Sequence, residues 1–198
     1  ELEVQLRMRN VDIAAITESW ATEEVGDSEL AIDRYVLYRK DRKYCRDARG
    51  GGILIYVREE ITSYINDKLN NFKCESLWIR VNTRANEGLD IGVCYHSPTA
   101  TPEAIRNMFE AISQACKGRG QVLVVGDFNY PGINWKSLEG AAAEEPFIDL
   151  VQDNFLTQHV NEPTRDKNIL DLVLSSEKNM VEDLHIIEHL STGDHNMV

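Results

Sequence analysis

Four short segments place polar side chains where apolar runs end. Ile16-Thr17-Glu18-Ser19-Trp20 puts an acid at the exit of a hydrophobic run, and Gly126-Asp127-Phe128-Asn129 follows the most apolar run in the chain. Ile169-Leu170-Asp171-Leu172-Val173-Leu174 sets an aspartate inside such a run, and Gly193-Asp194-His195 lies near the C-terminus. Singly, each is weak: a carboxylate at a strand end is commonly a cap or a solvated turn residue, and lone histidines such as His159, His185 and His189 are more often structural. As a set they suit hydrolysis of a phosphodiester. That reaction needs a water held in line, a base for its proton, positive charge near the non-bridging oxygens and help for the leaving oxygen. Glu18 is a hard oxygen donor of the kind Mg²⁺ prefers, and one or two carboxylates plus waters suffice for that ion. Asp127 and Asn129, two residues apart, are expected to project to one side of an extended chain. The aspartate would take the water's proton while the asparagine amide holds water or phosphate. His195, when protonated, can donate from both ring nitrogens to a phosphate oxygen, and a carboxylate such as Asp171 nearby favours that state.

The surrounding pattern supplies strands to carry these groups. Val11–Thr17 reads as a buried strand, followed by Tyr35–Tyr38 and Gly52–Val57. Ser76–Val81 and Leu89–Tyr95 form a hairpin pattern around the turn-like Asn86-Glu87-Gly88. Thr101-Pro102 opens a helix as N-cap and first helical residue, and Ile105, Met108, Phe109, Ile112 and Cys116 repeat at helical spacing on a core face. Gln121–Val125 is continuously apolar, as for a strand covered on both sides. A second helix is expected near Glu145–Asn154, and strands at Ile169–Leu174 and Val181–Ile187. Neither a repeat nor a linker interrupts this pattern, so one α/β domain is expected over residues 1–198.

Composition sets the boundaries. The 198 residues suit one domain with a substantial core, and 42% hydrophobic with 27% charged residues is ordinary for a globular protein. No apolar run nears membrane-spanning length and the start lacks a signal-peptide pattern, so no membrane partner and an intracellular location, nucleus and cytoplasm, are expected. Cys45, Cys74, Cys94 and Cys116 form no CxxC pair and read as reduced, structural thiols. A net charge of −12 argues against nonspecific coating of nucleic acid but leaves room for a local grip. One basic stretch, Arg39 to Arg49, holds six basic and two acidic residues and runs into Gly50-Gly51-Gly52. It is either a phosphate-contacting loop, with Arg42 and Arg49 as candidates, or a solvated connection.

In their order (Glu18, Tyr95, the GDFN segment, LDLVL, then Asp-His) these residues resemble the endonuclease/exonuclease/phosphatase superfamily, which includes apurinic/apyrimidinic endonucleases and DNase I. The likeness is closer to the endonuclease domain of jockey-type and chicken-repeat-type non-LTR (LINE) retrotransposons. Asp12–Trp20, Arg49–Val57, and Glu162-Pro163-Thr164-Arg165 running on to Asn168–Leu174 carry it. The resemblance implies a DNase I-like, four-layer α-β-β-α sandwich with its active site at the top of the sheets. Position by position, it implies that Glu18 ligates the divalent metal, Mg²⁺ or alternatively Mn²⁺, with Asp194 near it. Tyr95 would reach the scissile phosphate or its metal-bound water. Asp127, with Asn129 beside it, would orient or deprotonate the attacking water. Thr164 would support the substrate backbone, and Asp171 would pair with His195. The implied activity is nicking of one DNA strand to leave a 3′-hydroxyl that primes reverse transcription, with a reverse-transcriptase domain in the parent polyprotein. Against the family pattern, the first strand with its asparagine and the last core strand are missing, and Gly193 stands where a serine is usual. A decayed fragment acting at most as a binding module and a phosphatase of the same superfamily are the other readings; the ITESW and LDLVL contexts favour the retrotransposon branch.

Overall fold

The computed structural model describes residues 1–42, 50–83, 88–189 and 193–198. α1 (Leu2–Met8) leads into β1 (Ile13–Thr17), α2 (Asp27–Leu30), β2 (Tyr35–Lys40) and β3 (Ile53–Arg58). These strands make an antiparallel sheet in the order β1-β3-β2. Then come β4 (Ser63–Ile65), α3 (Asp67–Asn70), β5 (Ser76–Asn82), β6 (Gly88–Tyr95), α4 (Pro102–Cys116), β7 (Gln121–Asp127), α5 (Glu145–Asp153), β8 (Thr157–Gln158) and β9 (Asp171–Ser175). Their sheet runs β4-β5-β6-β7-β9-β8, and among the described residues only β6 and β7 pair parallel. A parallel pair needs a crossover, which α4 provides. Thr101 caps that helix, its Oγ1 accepting from the Ala104 N–H at 3.2 Å, with Pro102 opening it as the sequence predicts.

Side-chain alternation stacks these elements into four layers. Along β3, Ile53, Ile55 and Val57 face β5 and β6, meeting Leu77, Ile79 and Val93. Leu54 and Tyr56 point the other way, onto Leu6 of α1 and Ile32. Beyond the second sheet, Val122, Val124, Leu172 and Leu174 meet Met108 and Ile112 of α4 and Phe147 and Val151 of α5. The order is helix, sheet, sheet, helix, the expected α-β-β-α sandwich. Full burial of each such side chain stabilises by about 1.5–3 kcal/mol, so the position of every strand is strongly held.

Several expected elements differ. β1 begins at Ile13 and is only partly buried, with Ala15 exposed, because it is the edge strand of its sheet. β7 is covered fully on one face only: Val122 and Val124 are buried, whereas Leu123 and Val125 are half-buried where the smaller sheet stops at β1. β9 starts at Asp171 rather than Ile169. Val181–Ile187 forms no strand; among the described residues its one pairing is an isolated bridge between Ile187 and Met197. The hairpin of β5 and β6 forms in antiparallel register, while its turn residues Asn86 and Glu87, like Cys45 and Arg49, lie outside the described residues. Cys74, Cys94 and Cys116 are free thiols. Among the described residues, no helix is long and apolar enough to cross a membrane.

Gly126 makes the β6–β7 approach possible. Its φ is +138°, and a Cβ there would fall well inside van der Waals contact with the Cys94 carbonyl oxygen. A side chain would therefore meet both backbone strain and a clash with main chain. Gly126→Ala is expected to destabilise the protein by more than about 2 kcal/mol, read as a shifted urea midpoint at unchanged slope.

Candidate active site

The candidate residues gather where β6, β7 and β9 end. Tyr95 lies in register with Asp127, and Asp127 with Asp171, so the three stand side by side on adjacent strands. Residues in register share a face, and this row is on the face toward the smaller sheet, since Tyr95 packs there with Ile55 and Val93. Asp127 is 4% exposed. The next residue, Phe128, is fully buried on the opposite face and stacks on Phe147 at 4.8 Å, anchoring the loop that follows the strand.

Asn129 reaches Asp127 by a route different from the expected one. Its φ is +48°, so the chain turns rather than extends. The Asn129 backbone N–H donates to Asp127 Oδ1 at 3.0 Å, and its side-chain amide donates to Asp127 Oδ2 at 2.8 Å and to the His96 carbonyl at 3.1 Å. Both amide N–H groups are thus engaged by protein acceptors. Asn129 holds the Asp127 carboxylate in place instead of offering its amide N–H groups to water or phosphate.

Asp171 and His195 form the expected pair, with Oδ2 2.8 Å from Nδ1. One ring nitrogen is therefore committed to Asp171, so Nε2 alone remains for a substrate. Thr164 aligns this pair. It is completely buried, its Oγ1 accepts from the backbone N–H groups of Leu170 at 3.1 Å and Asp171 at 3.0 Å, and its carbonyl accepts from the Asn196 N–H at 2.8 Å. The expectation that Thr164 supports the substrate is corrected: its hydroxyl is turned into the fold, where it fixes the residues on both sides of the pair.

Glu18 lies across from this row, past the end of β1. Tyr95 donates its hydroxyl hydrogen to Glu18 Oε1, and Trp20 donates Nε1–H to Oε2 at 2.6 Å. The backbone N–H groups of Ser19 and Trp20 donate to the carbonyls of Gly52 and Gly51, which dock this turn on the glycine run. Arg42 stacks over the Tyr95 ring at 5.5 Å and pairs with both oxygens of Glu75, at 2.9 and 2.6 Å. Its companion candidate Arg49 is outside the described residues. Asp194 turns away, to Arg165 at 2.6 Å. The sequence reading missed Glu75, for which the sequence carries no motif, and Arg165, which sits inside a segment already singled out.

Burial, and then the charge of Asp171, push the Asp127 carboxyl up to about 7, against the opposing effects of His195 and the two hydrogen bonds from Asn129. The hydrogen bond to Asp171 raises the His195 pKa above its ordinary value, while burial and Arg165 pull it down. Among the described residues, Asp127, Asp171 and His195 are the group whose donor atoms all lie within 4.8 Å of one another; neither Glu18 nor Asp194 belongs to it. Two adjacent carboxylates, one shielded from water, make this end of the row negative, which favours a small divalent cation near it. With Glu18 linked to the row through Tyr95, the hard oxygen donors present fit such an ion.

The profile of the family described as Endonuclease-reverse transcriptase matches residues 89–198. No curated protein sequence matches the chain. Among solved structures, the chain is similar to the endonuclease domain of TRAS1, a telomere-specific non-LTR retrotransposon, with a TM-score of 0.72 and 16% identity over 98% of this chain and 87% of that one. It is also similar to the 3′ phosphatase NExo from Neisseria bound to a product DNA hairpin (TM-score 0.68, 13% identity, 98% and 90% covered). The catalytic domain of Xenopus laevis APE2 gives 0.63 at 15% identity over 98% and 84%. At these identities the structural similarity establishes a shared fold and nothing further.

Two outcomes follow from the site. A carboxyl whose folded pKa is raised stabilises the fold below its unfolded pKa and loses that contribution as pH climbs through the folded value. Asp127→Asn should therefore gain stability relative to the wild type as pH rises from 4 towards 8, by on the order of 3–4 kcal/mol at most; parallel melting curves across that range, with no widening gap, would contradict the buried charge. Thr164→Val leaves two backbone N–H groups without their acceptor and should cost about 2–4 kcal/mol, with Thr164→Ser restoring most of it in denaturant titrations.

Proposed function

Since the chain belongs to the Endonuclease-reverse transcriptase family and has the DNase I-like fold of the endonuclease/exonuclease/phosphatase superfamily, we propose that it is the metal-dependent DNA-nicking endonuclease of a non-LTR retrotransposon. In this reading it cuts one strand and leaves the 3′-hydroxyl from which a reverse-transcriptase domain of the same polyprotein starts synthesis. The row Tyr95–Asp127–Asp171, with His195 held on Asp171, is the observation that carries the reading.

Each residue has a defined part. Asp127, with its carboxyl at about 7, is a base matched to neutral solution and takes a proton from the attacking water. Asn129 keeps both of its oxygens aimed. As the water oxygen bonds to phosphorus, the bond to the 3′ oxygen breaks, and that oxygen is protonated from water. Protonated His195, oriented by Asp171, donates from Nε2 to a non-bridging oxygen as charge builds on it. Mg²⁺, or Mn²⁺ in its place, would be held by Glu18 beside the Tyr95 hydroxyl and would supply Lewis-acid charge to the phosphate.

Nicking of supercoiled plasmid tests this directly. With Mg²⁺ the wild type should convert supercoiled to open-circular DNA, and EDTA, Asp127→Ala and His195→Ala should each lower the rate by a factor of about 10² or more. Nicking that survives EDTA and both substitutions would overturn the proposal. A 3′-phosphorylated duplex in the same assay identifies a phosphatase instead, by release of phosphate without strand cleavage.

A further inference from the structure

Arg165 has no part in the chemistry assigned above, yet it stands at His195 Nε2, the nitrogen through which that chemistry reaches the phosphate. Its backbone is fixed in a tight turn, where Arg165 N–H donates to the Asn168 carbonyl at 3.2 Å and Asn168 N–H donates back at 2.9 Å. The guanidinium places Nη1 3.2 Å from His195 Nε2 and Nη2 2.6 Å from Asp194 Oδ2. These two contacts engage two of its five N–H groups.

We propose that Arg165 is a phosphate-binding residue, and that its guanidinium and His195 Nε2 take hold of the same backbone phosphate of a nucleic acid. Its pairing with Asp194 is then the resting position. The identity of the anion rests on the nuclease reading; the binding position rests on the geometry. Three observations support it. The chain carries a net charge of −12, and three of its acids, Asp127, Asp171 and Glu18, stand at the site, so a phosphodiester needs a cation beside it. Arg165 meets that need on the His195 side of the row. A planar fork of N–H groups matches phosphate oxygens in pairs, whereas Nε2 offers a single contact.

The third observation concerns the exchange itself. The Arg165 and Asp194 side chains are 40% and 69% exposed, and ion pairs so open to water contribute little to stability. Replacing Asp194 by phosphate therefore costs the fold little. Nε2 cannot accept from Arg165 and donate to phosphate at once, so the contact opens when the anion arrives, and both groups become donors to it.

Inorganic phosphate is the probe, added to the metal-free protein while the ¹⁵N side-chain signals of Arg165 and His195 are followed. Both signals should move together and saturate. Arg165→Ala and Arg165→Gln should weaken phosphate binding about tenfold, and Arg165→Lys should fall between, because it keeps the charge and loses the fork. Phosphate affinity unchanged in both neutral variants would overturn the proposal. Plasmid nicking in Mg²⁺ separates the two readings. A wild type that binds phosphate through Arg165 and never nicks overturns the nuclease reading alone. A wild type that nicks with the same KM as Arg165→Ala and Arg165→Gln overturns the role of Arg165 alone. If Arg165 were merely structural, the neutral variants would lower the melting temperature and Lys would restore no binding, which also overturns it.

Discussion

The register between β6 and β7 is the constraint on which the rest of the site depends. Tyr95, Asp127 and Asp171 share a row only because Tyr95 faces Asp127 and Asp127 faces Asp171. Side chains alternate with a period of two, so a slip of one residue would turn Asp127 into the helix-covered layer and bring Phe128 out of it. That slip is opposed by every buried pair along the strand, with Val122 and Val124 on one face and Phe128 stacked under Phe147 at its end. Apolar packing with no chemical role thus fixes the position of the acids, and the close approach at Gly126 lets the parallel pair form without a bulge.

The site works against the fold that builds it. Asp127 is nearly out of contact with water beside a second carboxylate, a placement that costs folding free energy whenever both are charged. The compensation is local. Asn129 satisfies the Asp127 oxygens, and His195 is drawn up to Asp171, which is itself held at its backbone by the hydroxyl of Thr164. No apolar substitution could supply those hydrogen bonds, so the polar network has to be complete to be tolerable.

Much of this was legible in the sequence, and the reasons for the remainder are physical. The strand ending in Tyr95, the strand from Gln121 (read to Val125, two residues short of Asp127), the cap at Thr101 and the Asp171–His195 pairing follow from periodicity, turn chemistry and the resemblance of the ordered acids to a known family. Val181–Ile187 was misread because its apolar residues look like a strand, whereas its only described pairing is the bridge to Met197. Thr164 was misassigned because a motif shows which residues matter and not which way they face. Asn129 was misplaced because a left-handed φ at a non-glycine residue leaves no mark in composition. Glu75 was invisible because its partners, Arg42 and the Gly52 N–H, are more than twenty residues away in the chain.

Thr164 and Arg165 are consecutive, yet one is wholly enclosed and the other reaches into solvent at His195. A single peptide unit therefore ties the integrity of the interior to the equipment for handling an anion. A change that loosens Thr164 also displaces Asp171 from behind and the chain next to His195 from the side. Through Thr164, and through it in particular, the protein would lose its foldedness and its reactive pair together.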